Sequence, residues 1–128
     1  MAEIKKKTIK FKGNELYLEV SQYKRNWDLA ILAYTKDDFY GDITINLPAM
    51  FLGTDEGFIN SLTKDSGLEK VLLKKGIIKE IVGPFKYNYG TYDKVIFDLE
   101  KLKEYDPKGV EEYANLMKEQ EEELEEEE

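Results

Sequence analysis

The sequence predicts an α+β fold: an antiparallel sheet of about five or six strands, one helix packed on it, and a C-terminal acidic helix. Three observations predict it. Short runs of alternating apolar and polar residues recur between polar turns. One mid-chain segment has a helical period with start and stop signals. A late Asp-Pro opens a carboxylate-rich segment with an apolar stripe.

The first half reads as strands. Ile4–Lys12 alternates weakly, with Ile4, Thr8 and Phe11 among lysines, and Gly13-Asn14 turns the chain. Leu16, Leu18 and Val20 then alternate with Tyr17, Glu19 and Ser21, the pattern of a half-buried strand. After the polar turn Lys24-Arg25-Asn26, the apolar run Trp27–Thr35 reads as a central strand covered on both faces, with Trp27 in the core. Lys36-Asp37-Asp38 turns again. Phe39–Leu47 follows, with Ile43, Ile45 and Leu47 opposite Thr44 and Asn46, and Pro48 ends it because proline donates no ladder bond. Turns this short favour a meander.

Residues 48–65 read as a long connection, with a short strand or helical turn near Phe58–Leu62. Ser66-Gly67-Leu68-Glu69 matches a capping box, in which Ser66 and Glu69 would satisfy each other's backbone N–H groups. Leu68, Val71 and Leu72 share a helical face, and Gly76 is a left-handed stop. Ile77–Val82 and Phe85–Tyr89, broken or bulged at Gly83-Pro84, pair with Lys94–Leu99 in a second hairpin that turns at Gly90-Thr91. Asp106 caps the last helix and Pro107 takes its first position. This divides the chain into a body, residues 1–103, and an acidic helical tail, residues 104–128.

The charge is distributed just as unevenly. Residues 1–100 hold 15 Lys/Arg and 15 Asp/Glu, whereas residues 101–128 hold 4 and 12, which accounts for the whole net charge of −8. Such acidity repels nucleic acid and anionic membranes, so neither is an expected partner. There is no histidine and no cysteine. Ser-His-Asp triads, cysteine nucleophiles, histidine bases and His/Cys zinc sites are therefore excluded, as are disulfides. No phosphate-cradling glycine motif occurs. The expectation is a non-enzyme without cofactor or metal. The lysine-rich N-terminus has no apolar segment behind it, and no apolar run is long enough to span a bilayer, which together suggest a cytoplasmic protein.

Several constellations carry more than one reading. Asp37, Asp38 and Asp42 are the densest carboxylates of the body; they suit a divalent cation, but Asp is also an ordinary turn residue, and the turn reading ranks first. Lys5, Lys6, Lys7, Lys10 and Lys12 protect an edge strand, pair with the acidic tail, or touch nucleic acid; edge protection ranks first and the other two share the remaining weight. Tyr87, Tyr89 and Tyr92, with Tyr23, Tyr34 and Tyr40, sit near hairpin tips and either build a contact surface or simply favour strands. Glu111, Glu112, Glu119, Glu121, Glu122 and Glu123 either imitate a phosphate backbone before a basic groove or only solubilise the chain. Val110, Tyr113, Met117 and Leu124 form a stripe suited to self-association or to a partner helix.

The runs Tyr17–Tyr23, Trp27–Leu32 and Gly41–Pro48 resemble a small family of uncharacterised domains, DUF 4313, as do Phe58–Asn60, Gly67–Ile77 and Val95–Leu99. The resemblance covers roughly residues 15–103; the tyrosine-rich stretch 83–92 and the acidic helix 106–128 depart from it. It implies a small protein carried by plasmids, phages and integrative elements, with no catalytic residues to transfer. By type it is similar to anti-CRISPR proteins. The function expected is therefore stoichiometric inhibition of a host nucleic-acid-guided defence nuclease, through a basic groove on that nuclease or on its nucleic-acid-loaded complex. The alternative is a small interaction or accessory module that self-associates or binds a partner helix.

Overall fold

The computed structural model describes residues 6–24, 27–47, 50 and 52–126, with side chains through residue 119. The chain is α+β, with two four-stranded antiparallel sheets and four helices among the described residues. The first sheet holds β1 (Ile9–Phe11), β2 (Asn14–Gln22), β3 (Leu29–Tyr34) and β4 (Phe39–Asp42) in sequential order. The second holds β5 (Thr44–Ile45), β6 (Glu56–Ile59), β7 (Ile78–Tyr87) and β8 (Gly90–Phe97), ordered β5-β6-β8-β7. Helices α1 (Ser61–Asp65) and α2 (Leu68–Lys74) come between β6 and β7 in the chain, and α3 (Leu99–Leu102) and α4 (Pro107–Glu126) follow β8.

The expected single sheet is two because one strand changes partners. Phe39–Leu47 breaks at Ile43, whose N–H donates to Ile31 O (2.9 Å) in the first sheet while its carbonyl accepts from Asn60 N (3.0 Å) beside the second. The next residue, Thr44, is buried; its Oγ1 accepts from Ile31 N (3.1 Å) and hydrogen-bonds the Tyr23 hydroxyl (2.8 Å). A threonine in this corner replaces the ladder bonds that the bend removes.

Other expectations meet the structure element by element. Leu16, Leu18 and Val20 are buried as the alternation requires, and β3 is central in its sheet. In β1 Ile9 and Phe11 are buried and Thr8, just before the strand, is half-buried, while Ile4 and Lys5 lie outside the described residues, as do Arg25, Asn26 and Pro48. Trp27 is not in the core; it sits at φ 65° in the β2–β3 connection and is 46% exposed. Both readings of Phe58–Leu62 are realised, as the end of β6 and the start of α1.

The capping box does not form. Gly67 is the N-cap of α2 and makes no side-chain cap bond, while Ser66 Oγ donates to Thr63 O (3.2 Å) and Glu69 is turned inwards and buried. The stop signal is sound. Gly76, at φ 79°, donates to Leu73 O (3.1 Å) and Ile77 N donates to Leu72 O (3.0 Å), the paired bonds of a Schellman end. The tyrosine hairpin turns at Asn88-Tyr89, two residues before Gly90-Thr91, with Asn88 at φ 54° supplying the left-handed residue. Of the two readings of Gly83-Pro84 the bulge is realised: β7 runs through both residues, with register shifts between Ile78 and Glu80 and between Ile81 and Gly83.

Helix α4 is built into the body rather than appended to it. Strand β1 pairs with β2 only over Asn14–Leu16, so the rest of that β2 edge needs another cover. The first turn of α4 supplies it. Asp106 Oδ2 accepts from Val20 N (2.8 Å), its Oδ1 accepts from Gly109 N (3.2 Å), and Lys6 Nζ stands 3.4 Å away. Val110 and Tyr113 enter the same hydrophobic core as Leu18, Val20 and Leu72. A boundary at residue 103 therefore passes through a shared core.

Gly109 is what lets the helix come this close. A Cβ at that position would stand 2.5 Å from Val20 O and would also collide with the Asp106 carboxylate. Gly→Ala inside a helix ordinarily stabilises by roughly 1 kcal/mol. Gly109→Ala is expected to do the reverse, costing about 1–3 kcal/mol through overpacking, as read from the urea midpoint.

Candidate interaction face on helix α4

The stripe and the charges of α4 fall on opposite sides. Val110 and Tyr113 are buried and Met117 packs against the core, where Gln22 Nε2 contacts its sulfur at 3.3 Å. Tyr113 donates its hydroxyl hydrogen to Thr54 O (2.5 Å), and burial pushes its phenol well above the usual tyrosine range. These residues were read as a seam for self-association or for a partner helix. They are instead covered by the chain's own sheet, which corrects that reading for Val110 and Tyr113; the Leu124 side chain lies outside the described residues.

With that face anchored, Glu111, Glu112 and Glu119 are exposed on a helix that cannot roll. Glu112 and Glu119 are two turns apart, about 10 Å along the axis. The side chains of Glu121, Glu122 and Glu123 lie outside the described residues, although the helix backbone runs on to Glu126. No ion pair involves Glu111, Glu112 or Glu119 among the described residues.

Two clefts flank Glu112. The smaller, about 220 Å³, is lined by Tyr23, Trp27, Tyr113 and Leu116 together with Glu112, and both Trp27 (46%) and Leu116 (39%) are largely exposed there. The larger, about 720 Å³, holds Lys6, Lys36 and Lys108 with Tyr17, Tyr34, Glu19 and Asp106, so charge at the root of α4 is mixed. The acidic character thus begins at Glu111 and grows towards the C-terminus.

The hairpin tyrosines stand elsewhere. Tyr89 is fully exposed at the tip of β7–β8, with Tyr87 and Tyr92 half-buried below it. That tip is separated from α3 by all eight residues of β8, about 26 Å of strand, and α4 packs on the other sheet. The structure therefore does not bring Tyr87, Tyr89 and Tyr92 to the acidic face. The aromatic beside it is Trp27. The run Trp27–Thr35 reads as one apolar strand, so nothing in the sequence sets Trp27 apart from the core.

The N-terminal lysines serve two of their three readings. Lys10 and Lys12 are exposed on and beside the edge strand β1, while Lys7 Nζ (2.6 Å from Glu104 Oε1) and Lys6 tie down the root of the tail. Hydrogen bonds from Lys7 and Lys101 hold the Glu104 carboxyl below its ordinary range. Asp37 and Asp38 occupy a turn in which Thr35 N donates to Asp38 O (2.7 Å) and Asp38 N donates to Thr35 Oγ1 (3.0 Å). Among the described residues no group of three carboxylates is placed to hold a metal ion.

One buried acid cluster had no clear sequence signal. Glu69 of α2 is 5% exposed beside buried Asp93 of β8, and Lys64 Nζ of α1 lies 3.2 Å from both Asp93 oxygens. Burial, then the hydrogen bond and charge of Asp93, raise the Glu69 carboxyl to about 7. Glu69 Oε2 is buried with no hydrogen-bond partner among the described residues. The group joins three elements, and none of its three side chains lines either cleft beside α4.

Comparison with known families gives a match over most of the chain. The model of the family described as Domain of unknown function (DUF4313) matches residues 17–117. The chain belongs to this family. The match runs through Met117, so the anchored part of α4 is a DUF4313 feature and not an addition to it. Neither the curated proteins nor the solved structures give a match. Among the described residues no helix is long and apolar enough to cross a membrane.

Proposed function

We propose that this DUF4313 protein is a non-enzymatic binding protein whose acidic helix docks in a cationic protein groove. In the specific form of the proposal, it is a mobile-element protein and the groove belongs to a host nucleic-acid-guided defence nuclease, free or loaded with guide, which it inhibits one to one. One observation carries the reading. Helix α4 is fixed to the sheet by Asp106, Val110 and Tyr113 while Glu111, Glu112 and Glu119 face solvent. Anchoring matters because a preordered charged face loses little entropy on binding.

Charge alone gives salt-sensitive attraction, not tight binding. The cleft of Trp27 and Leu116 beside Glu112 supplies the apolar contact that a stable complex needs. Exposed tryptophan next to a charged rim is the composition of an interface hot spot. The tyrosine hairpin remains as a separate exposed surface that this reading does not require.

The test is inhibition of purified guide-loaded nucleases by the intact protein and by two variants. Glu111→Lys/Glu112→Lys/Glu119→Lys is expected to abolish inhibition, and Trp27→Ala to weaken it by roughly tenfold or more. Inhibition by the intact protein should fall as salt rises. Full inhibition by the triple variant would remove α4 from the mechanism.

A further inference from the structure

Strand β4 ends the first sheet, and its outer edge pairs with no strand among the described residues. Alternate residues of an antiparallel strand aim their backbone groups outwards. Asp42 does so, and its carbonyl is met by Thr63 Oγ1 (3.0 Å). Towards Phe39 the edge opens into a groove of about 450 Å³ between β4 and α1. Its exposed apolar wall is Phe39 (53%), Tyr40 and Leu62 (78%). The register skips Tyr40, pairing Ala33 with Gly41 and Tyr34 with Phe39. A bulge of this kind re-aims side chains, and here consecutive aromatics line one groove.

The wall is held in place. Phe39 packs edge-on against Tyr34, with ring centroids 5.3 Å apart. Leu62 lies in the first turn of α1, which Asn60 caps through its Oδ1 and Leu62 N (3.0 Å). An unpaired strand edge beside an ordered apolar groove is the receiving surface for an added strand.

Charge decides what the strand is. Asp42 lines the groove, and exposed Asp37 and Asp38 adjoin the same edge. Of the nearby cations, Lys64 is engaged with Asp93 and Lys36 lines the cleft at the root of α4. A second copy of β4 laid antiparallel would bring Asp42 of one copy towards Asp38 of the other, and like charges across a ladder repel. We infer that the outer edge of β4 takes, as an added β-strand, an extended segment of a partner protein in which lysine or arginine alternates with apolar residues. The apolar side chains enter between Phe39, Tyr40 and Leu62, and the cations meet Asp37, Asp38 and Asp42. This surface and α4 lie at opposite edges of the first sheet, so neither proposal depends on the other.

The test uses the full-length protein, isotope-labelled for backbone NMR, and a synthetic peptide that alternates lysine and valine. Binding should saturate below about 1 mM peptide, with the largest shifts at Phe39–Asp42 and Leu62. A peptide with glutamate in place of lysine should not bind. Leu62→Ser and Asp42→Lys, both at exposed positions, should each weaken binding severalfold at an unchanged melting temperature. Shifts centred on Glu111–Glu119 would overturn the inference, because α4 would then be the site. So would equal binding of the glutamate peptide, absence of saturation, or self-association that shifts the same β4 amides.

Discussion

Asp106→Ala should lower stability by about 2–4 kcal/mol, more than any exposed acidic substitution on α4. The residue performs three tasks at once. As a cap it accepts from Gly109 N, and loss of a cap alone costs about 1 kcal/mol. It also accepts from Val20 N, and that bond crosses the fold from the first turn of α4 to the β2 edge. Alanine leaves this buried N–H without an acceptor, at roughly 1–3 kcal/mol. The Lys6 contact is half exposed on the lysine side and adds little. The melting temperature should fall by about 10 °C. Asp106→Asn keeps one acceptor oxygen and should recover part of the loss. Amide exchange distinguishes this mechanism from simple weakening: Val20 and the first turns of α4 should lose protection before Leu72 or Val95 does. Uniform loss across both sheets would show that α4 is not anchored through Asp106.

The local parts of this fold were legible and the long-range parts were not. Leu16, Leu18 and Val20 announce their strand because a two-residue period needs no knowledge of the partner. Gly76 announces the end of α2 because the left-handed residue lies within the motif itself. Asp106-Pro107 likewise marks a helix start. The use of that same carboxylate by Val20, 86 positions earlier, is a tertiary fact with no local signature. Ile43 gives no sign that its backbone serves two sheets. The stripe of Val110, Tyr113 and Met117 states that one face of α4 is apolar, but not whether a partner or the chain itself covers it. At the candidate site, exposure of Glu111, Glu112 and Glu119 follows from their spacing against that stripe. Trp27 does not follow, because large apolar residues are normally assigned to the interior and its position depends on a left-handed turn.

Glu69→Gln should stabilise the protein above neutral pH and do little below pH 4.5, the carboxyl's ordinary value. The reasoning starts from burial. Glu69 and Asp93 are both sequestered, and like charges this close cannot both ionise cheaply. Lys64, bound to Asp93, and Lys70 oppose the shift, but desolvation and the Asp93 carboxylate prevail and the Glu69 carboxyl is raised to about 7. Below that pH the proton that Glu69 holds faces Asp93 and ties α2 to β8, while Lys64 joins α1 to the same point. Because the folded protein holds this proton more tightly than the unfolded chain, its stabilisation is complete below about 4.5 and is lost as pH rises to about 7. The full effect is at most about 3 kcal/mol, at roughly 1.4 kcal/mol per pH unit between those two values. Glutamine removes the charge at every pH and can still donate to Asp93. The variant's stability should therefore stay nearly level across that window while the parent's declines, so that the two urea midpoints diverge with rising pH. Parallel pH profiles for the two proteins would place the proton elsewhere and leave Glu69 ionised in the folded state.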